Sequence, residues 1–350
     1  MKQPIPISET VTHPAEILPA KPLVSIIIPC YNSEKWIGET INSCIAQTYR
    51  PLEVVVVDDG STDGSLGIIQ RYADQYLDLI RYETGPNRGG CTARNRGFAL
   101  SHGEYVLFLD ADDYIEPETI TGQIDAIAGR IDVIVTCPWW NIEWTRNEWK
   151  KVYPHPTRAT DPLIAELRYG DFLPSPTLLW PRNVIKELDG WDETLWANQD
   201  GDLRLRARLN DYQIIPSQQG GFAYRRYSFT TVSMRATERN LESRIRVLEK
   251  VEAILQRTGR LNQYGLDLAY AYHRLASVLM PQNELLGERA LSHAKRLGGI
   301  RSVQGTLAHR ILCYTIGLKR KEHLARYLID SHLSLLLGRT RKRNSIVEYK

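Results

Sequence analysis

The chain has 350 residues, enough for about two domains around a sizeable core. Its 43% hydrophobic and 24% charged residues are a globular balance that excludes a disordered or collagen-like chain, and no apolar run approaches the roughly 18 residues needed to span a bilayer. The net charge of +3 is unevenly spread: residues 301–350 carry eleven Lys/Arg against three Asp/Glu, a net +8, which leaves −5 for the first 300 residues.

Residues 1–21 are rich in Pro without periodicity and read as a flexible leader with no secretory h-region. Leu23–Ile28 is a β-branched run ended by Pro29, the pattern of a strand buried on both faces. Asn32 and Ser33 are good N-cap residues, and Trp36, Ile37, Ile41, Cys44 and Ile45 keep helical spacing to about Thr48. The alternation repeats: strand Glu53–Val57, turn Asp58–Asp63, helix Ser65–Gln75, strand Leu79–Tyr82, loop Gly85–Gly90, helix Thr92–Ser101, strand Tyr105–Leu109. Strands alternating with helices predict an α/β fold with a mostly parallel sheet, whose ligands gather at the carboxyl ends of the strands.

From about Asp132 the composition shifts. Val133–Val135 is strand-like, and an aromatic, less regular segment with Trp139, Trp140, Trp144 and Trp149 runs to about Tyr153. Leu188–Asp192 reads as a turn and Asp200–Asn210 as a short charged helix. After about Arg235, apolar residues keep helical spacing over 241–255, 266–280, 285–297, 307–318 and 324–337, a helical C-terminal appendage ending in the basic run 339–343. Five scattered cysteines without metal-ligand spacing predict reduced, mostly buried thiols of a cytoplasmic protein.

Two of the three expected strand ends are acidic. Asp110 and Asp112 flank one residue, so in an extended segment both carboxylates face the same way, and a hard divalent ion would relieve their repulsion; a solvated loop feeding a helix N-cap explains the same residues. Asp58 and Asp59 can accept from a base N–H or a ribose hydroxyl, while Asp-Gly and Ser-Thr-Asp are equally ordinary turn chemistry. Tyr31 can stack on a nucleobase or pack between strand and helix. Neither a GxGxxG nor a Walker loop follows the first strand, which disfavours a dinucleotide dehydrogenase and a P-loop NTPase.

Taken together, Ile28-Pro29-Cys30-Tyr31-Asn32, Val57–Asp63, Gly89–Gly97 and Phe108–Asp113, in this order, resemble the family 2 glycosyltransferases of GT-A fold, over roughly Leu23 to Tyr227. The resemblance implies an inverting transferase that uses a nucleotide-diphosphate sugar, UDP-linked by expectation, with Mg²⁺ or Mn²⁺. It implies that Pro29, Tyr31, Asp59, Arg94 and Asp110 line the nucleotide, Asp59 at the base and Asp110 near the ribose and metal, and that Asp112 with Asp110 binds the metal. The segment Ala197–Arg206 is similar to the family's downstream acidic motif and puts Asp200 at the catalytic-base position; a helix N-cap is the other reading of Asp200. The family often has His where Tyr227 stands.

The expected organisation is a leader (1–21), a nucleotide-sugar-binding half (22–130), an acceptor-binding half (131–235) and a helical region with a basic tail (236–350). The acceptor implied is a saccharide or lipid-linked saccharide of surface-polysaccharide assembly. A cytoplasmic location is expected, with peripheral contact at the inner face of the plasma membrane through the basic C-terminus. The tryptophans, with Trp191 and Trp196, either stack on sugar rings or form core. The other readings are a non-catalytic nucleotide-sugar-binding protein and a membrane-surface scaffold. Nucleic acid is disfavoured, because the basic run lacks interleaved aromatics and the body is acidic.

Overall fold

The computed structural model describes residues 21–130, 132–145, 148–153, 161–226 and 237–303. The leader up to Ala20, Tyr227, the two last expected helices, the basic run and Cys313 lie outside them.

The first half alternates as β1 (Val24–Cys30), α1 (Ile37–Ile45), β2 (Leu52–Asp58), α2 (Ser65–Gln75), β3 (Ile80–Thr84), α3 (Gly90–Leu100) and β4 (Tyr105–Phe108). Then come β5 (Tyr114–Ile115), α4 (Thr119–Ile127), β6 (Val133–Thr136), β7 (Trp139–Thr145), β8 (Glu148–Val152) and α5 (Pro162–Ile164), which runs on as a π-turn over Ala165–Tyr169. The second half continues with β9 (Leu178–Pro181), α6 (Arg182–Glu187), α7 (Gln199–Leu209), β10 (Gln213–Pro216) and β11 (Phe222–Arg226), and closes with α8 (Glu238–Arg257), α9 (Leu261–Leu279) and α10 (Glu284–Gly298).

Seven strands form one sheet in the order β10-β6-β9-β4-β1-β2-β3. β1 pairs in parallel with β2 and β4, with Cys30 opposite Asp58 and Ile27 opposite Phe108, so the loops after all three strands open on one edge. Only β9 runs against its neighbours β4 and β6, and the sheet is mostly parallel as expected. Val54–Val57, Ile26–Ile28 and Val106–Phe108 are fully buried, because helices cover both faces.

The aromatic segment after Pro138 is more regular than its composition suggests. β7 and β8 are an antiparallel hairpin in a second sheet, β5-β11-β7-β8. Alternation decides it: Trp140 and Ile142 share a small core with Ala223 of β11. Asn32 and Ser33 do not cap α1 either, since the helix starts after Trp36 without a side-chain cap. They join the loop after β1 to the loop after β2. The Asn32 amide donates to Ser61 Oγ (3.0 Å), Asn32 Oδ1 accepts from the Thr62 amide (2.8 Å), and the Ser33 amide donates to Ser65 Oγ (2.8 Å).

α3 lies on β1 and β2 through Gly97. A Cβ there would come within 2.4 Å of Ile27 Cγ2 and 3.2 Å of Val57 Cγ2. Gly97→Ala is therefore expected to lower the unfolding free energy by about 1–3 kcal/mol, as overpacking does, measured as a lower urea midpoint at unchanged slope.

The C-terminal helices are not a separate bundle. Leu241, Ile245, Leu248, Val251 and Leu255 of α8 share one apolar core with Leu205 and Leu209 of α7, Leu163 of α5, Leu268 and Tyr272 of α9 and Ala290 of α10. No helix of the described residues is long and apolar enough to cross a membrane.

Candidate active site

The residues singled out in the sequence lie along the edge where β1, β2 and β4 end. Pro29 is the penultimate residue of β1, opposite Val57, and Tyr31, just beyond, is half exposed. At the end of β2, Asp58 accepts from Thr84 Oγ1 (2.8 Å), and Gly60 turns the chain at φ 76°, where a side chain would collide with the Asn87 amide. Asp59 is buried, and its two oxygens accept from the backbone amides of Arg88 (2.9 Å) and Gly89 (2.8 Å). Asp59 thus anchors the loop that leads into α3.

α3 carries the next group. Arg94 is buried; one nitrogen donates to Asp110 Oδ1 (2.6 Å) and another to Gln199 Oε1 (3.0 Å), while its guanidinium lies 4.6 Å from the Trp191 ring centroid. One side chain therefore joins the end of β4 to the start of α7. A buried cation in such a place needs carboxylate partners, and here it has Asp110 bonded and Asp200 in its field.

Asp200 is not the N-cap of α7. Asn198 holds that position at φ 55°, with no side chain closing the turn. Burial pushes the Asp200 carboxyl above the usual carboxylate range and Asp110 adds to the rise; Arg94, Arg204 and the Ser175 amide oppose it. Arg204, one turn on, is itself buried and forms a two-pronged pair with Glu166 (3.0 and 2.6 Å).

The Asp110–Asp113 loop is pinned from the second sheet. The Arg225 amide donates to Asp113 Oδ1 (2.7 Å), and its side chain donates to the Asp112 carbonyl (2.6 Å), pairs with Glu39 (2.8 Å) and lies over Trp36 (4.3 Å). Asp113 is buried with Oδ2 unpartnered; desolvation, then Asp112 and Asp110, push its carboxyl well up. The Tyr224 phenol is raised by burial and by the charges of Asp113, Asp110, Asp112 and Asp200. Asp110 and Asp200 thus both act on Arg94, and with Asp112 they act on Tyr224, while Asp59 lies at the end of β2 and Tyr31 is half exposed beyond β1.

Among the described residues, no three His, Cys, Asp or Glu side chains form a ready cage for a metal ion. Asp110 and Asp112 offer two hard carboxylates, a donor set that fits Mg²⁺ or Mn²⁺ whose shell is completed by substrate phosphates. Cys30, Cys44 and Cys91 are buried thiols that burial pushes up to about 12, which makes them inert packing groups.

Residues 25–188 match the model of Glycosyl transferase family 2. That stretch, a little under half of the chain, has the sequence of a family 2 glycosyltransferase domain. An uncharacterized glycosyltransferase of Haemophilus influenzae is 39% identical over 104 residues, which cover 30% of this chain and 42% of that protein. The chain therefore spans less than half the length of that curated relative. A crystal structure of S. aureus TarS in complex with UDP-GlcNAc is similar over 80% of this chain and 81% of that one, at 25% identity and a TM-score of 0.60. GalNAc-T7, crystallised with UDP, GalNAc and Mn²⁺, shares the fold at 15% identity and a TM-score of 0.53, over 84% of this chain and 58% of that one. The architecture of the chain is accordingly the GT-A type with added C-terminal helices.

Several residues of the candidate site escape the motif reading. Asp113 is indistinguishable in sequence from Asp110 and Asp112, and only the fold buries it. Arg225 gains its role from a parallel pairing of β11 with β7 that no local pattern reveals. Arg204 left a usable signal, since it stands four residues after Asp200 on one helix face.

Proposed function

We propose that this family 2 glycosyltransferase moves a sugar from a UDP-linked donor to a hydroxyl of a saccharide or lipid-linked saccharide with inversion, and that Asp200 is the general base. The observation that carries the reading is Arg94, which bonds Asp110 just beyond β4 and Gln199 in the first turn of α7, and on which the neighbouring Asp200 also acts. The UDP-GlcNAc bound by TarS supports the choice of donor.

In the proposed chemistry Asp200 accepts the proton of the acceptor hydroxyl, and that oxygen forms its bond to the anomeric carbon as the bond to the diphosphate oxygen breaks. Attack and departure are on opposite faces, so the configuration inverts and no carboxylate nucleophile is required. Desolvation raises the basicity of Asp200, which makes it a better proton acceptor than an exposed aspartate. Tyr31 and Asp59 lie on the nucleotide side, with Pro29 shaping the strand end, and Arg94 holds Asp110 in place. Asp110 and Asp112 would hold the divalent ion, which when bound supplies charge neutralisation on the leaving diphosphate.

Calorimetric titration with UDP tests the metal assignment. Binding is expected to be at least about tenfold tighter with Mn²⁺ than with EDTA, roughly 1.4 kcal/mol, and Asp112→Ala is expected to erase the difference. Equal affinity with and without Mn²⁺ in the parent protein would refute it. A turnover screen with UDP, GDP and dTDP sugars then tests the donor, and turnover of only a GDP or dTDP sugar would overturn the UDP reading.

A further inference from the structure

Helix α8 presents one stripe of side chains to the segment that leads into α7. Arg239, Ser243, Arg246 and Lys250 are spaced by four, three and four residues, which puts them on a single helix face. The Arg239 guanidinium lies 4.2 Å from the Trp196 ring centroid, Ser243 Oγ accepts from the Trp196 amide (2.9 Å), and Arg246 donates to Thr194 Oγ1 (2.9 Å). Lys250 Nζ bridges Asp192 Oδ2 (2.5 Å) and Asp202 Oδ1 (2.8 Å). Rising numbers along α8 meet falling numbers from Trp196 to Asp192, so helix and segment zip together antiparallel.

Both ends of this zip reach the site. Asp202 is 2% exposed and stands two residues from Asp200, its other oxygen held by Arg206 (2.7 Å). Trp196 lies between Arg239 and Gly89, where a Cβ would sit 3.7 Å from the indole, and the Gly89 amide is one of the two that Asp59 holds. Contacts thus run from Arg239 through Trp196 and Gly89 to Asp59, and from Lys250 through Asp202 to the first turn of α7.

We infer that α8 is a working part of the active site, with Lys250 as the positioning residue that fixes the Asp200 turn and Arg239 and Ser243 as those that press Trp196 onto the loop that leads into α3. The inference rests on the proposed role of Asp200 for its kinetic arm only. A bridging ammonium is suited to this place, because Asp192 and Asp202 would otherwise face each other as like charges, one of them buried.

The test compares the full chain with Lys250→Met, Lys250→Arg and the pair Arg239→Ala/Ser243→Ala. Amide hydrogen exchange without substrate is expected to quicken about tenfold or more over residues 192–202 in Lys250→Met, and over both 192–198 and 86–90 in the pair, with α9 and α10 unchanged, as for a local opening. Turnover of the donor found in the screen is expected to fall about tenfold or more in Lys250→Met, on the scale of small misplacements at a reacting group, with KM for the donor within about threefold and recovery in Lys250→Arg. Unchanged exchange over 192–202, or equal quickening through α9 and α10, would overturn the inference and leave a merely structural contact. A parent protein inactive with every nucleotide sugar, but with the expected exchange pattern, would sink the transferase reading and keep the clasp. An active parent matched by an equally active Lys250→Met would sink the clasp and keep the transferase.

Discussion

Asp200→Asn is expected to lower kcat by about 10³-fold, within the range that a positioned general base supplies, while UDP binding in Mn²⁺ stays within about threefold of the parent. The amide matches the carboxylate in size, so it can sit among Ser175, Arg94 and Arg204 without opening a cavity. It cannot take the proton of an acceptor hydroxyl. Loss of one carboxylate beside Arg94 removes a favourable charge pair, but Asp110 remains bonded to the guanidinium at 2.6 Å and keeps it in place. Single-turnover kinetics alongside calorimetry separate the two effects. A variant that turns over at near the parental rate would disprove the assignment of Asp200, and one that loses UDP affinity in step with kcat would point to a binding role instead.

The second large effect concerns stability. Arg204→Met is expected to cost about 3–5 kcal/mol of unfolding free energy, as breaking one partner out of a buried pair does. Arg204 bonds both oxygens of Glu166 and also donates to the Leu173 carbonyl (2.5 Å). Methionine fills much of the same volume but leaves Glu166, among the described residues, with Arg208, whose Nε stands 3.5 Å away. Arg204→Lys keeps the charge without the planar fork and is expected to recover only part of the loss. Urea unfolding followed by circular dichroism measures both. A cost below about 1 kcal/mol for the Met variant would mean that Glu166 is satisfied without Arg204, since an exposed pair is worth no more than that.

The parallel core is legible in the sequence because its strands are buried on both faces. Ile26–Ile28 and Val54–Val57 read as unbroken β-branched runs, and turn residues close each of them. Asp110 and Asp112 announce themselves by falling at a strand end. Trp140 and Ile142 do not, because the tryptophans on either side mask the alternation that puts them in a strand. The N-cap reading of Asn32 fails for a related reason: its side chain has two uses, capping a helix or bridging a neighbouring loop, and only the proximity of β1 and β2 selects the second. Lys250 is less visible still. In the sequence it is one cation among many on an amphipathic helix, and its partners Asp192 and Asp202 stand 58 and 48 residues away.

The shared core of α7 with α8, α9 and α10 has a practical consequence for anyone trimming the polypeptide. A fragment ending after β11 would retain every carboxylate discussed above, yet it would bare Leu205 and Leu209 to water along the same helix that bears Asp200. Such a greasy stripe invites self-association, so the shortest fragment that stays monodisperse should extend through α10, well past the span recognised by family similarity.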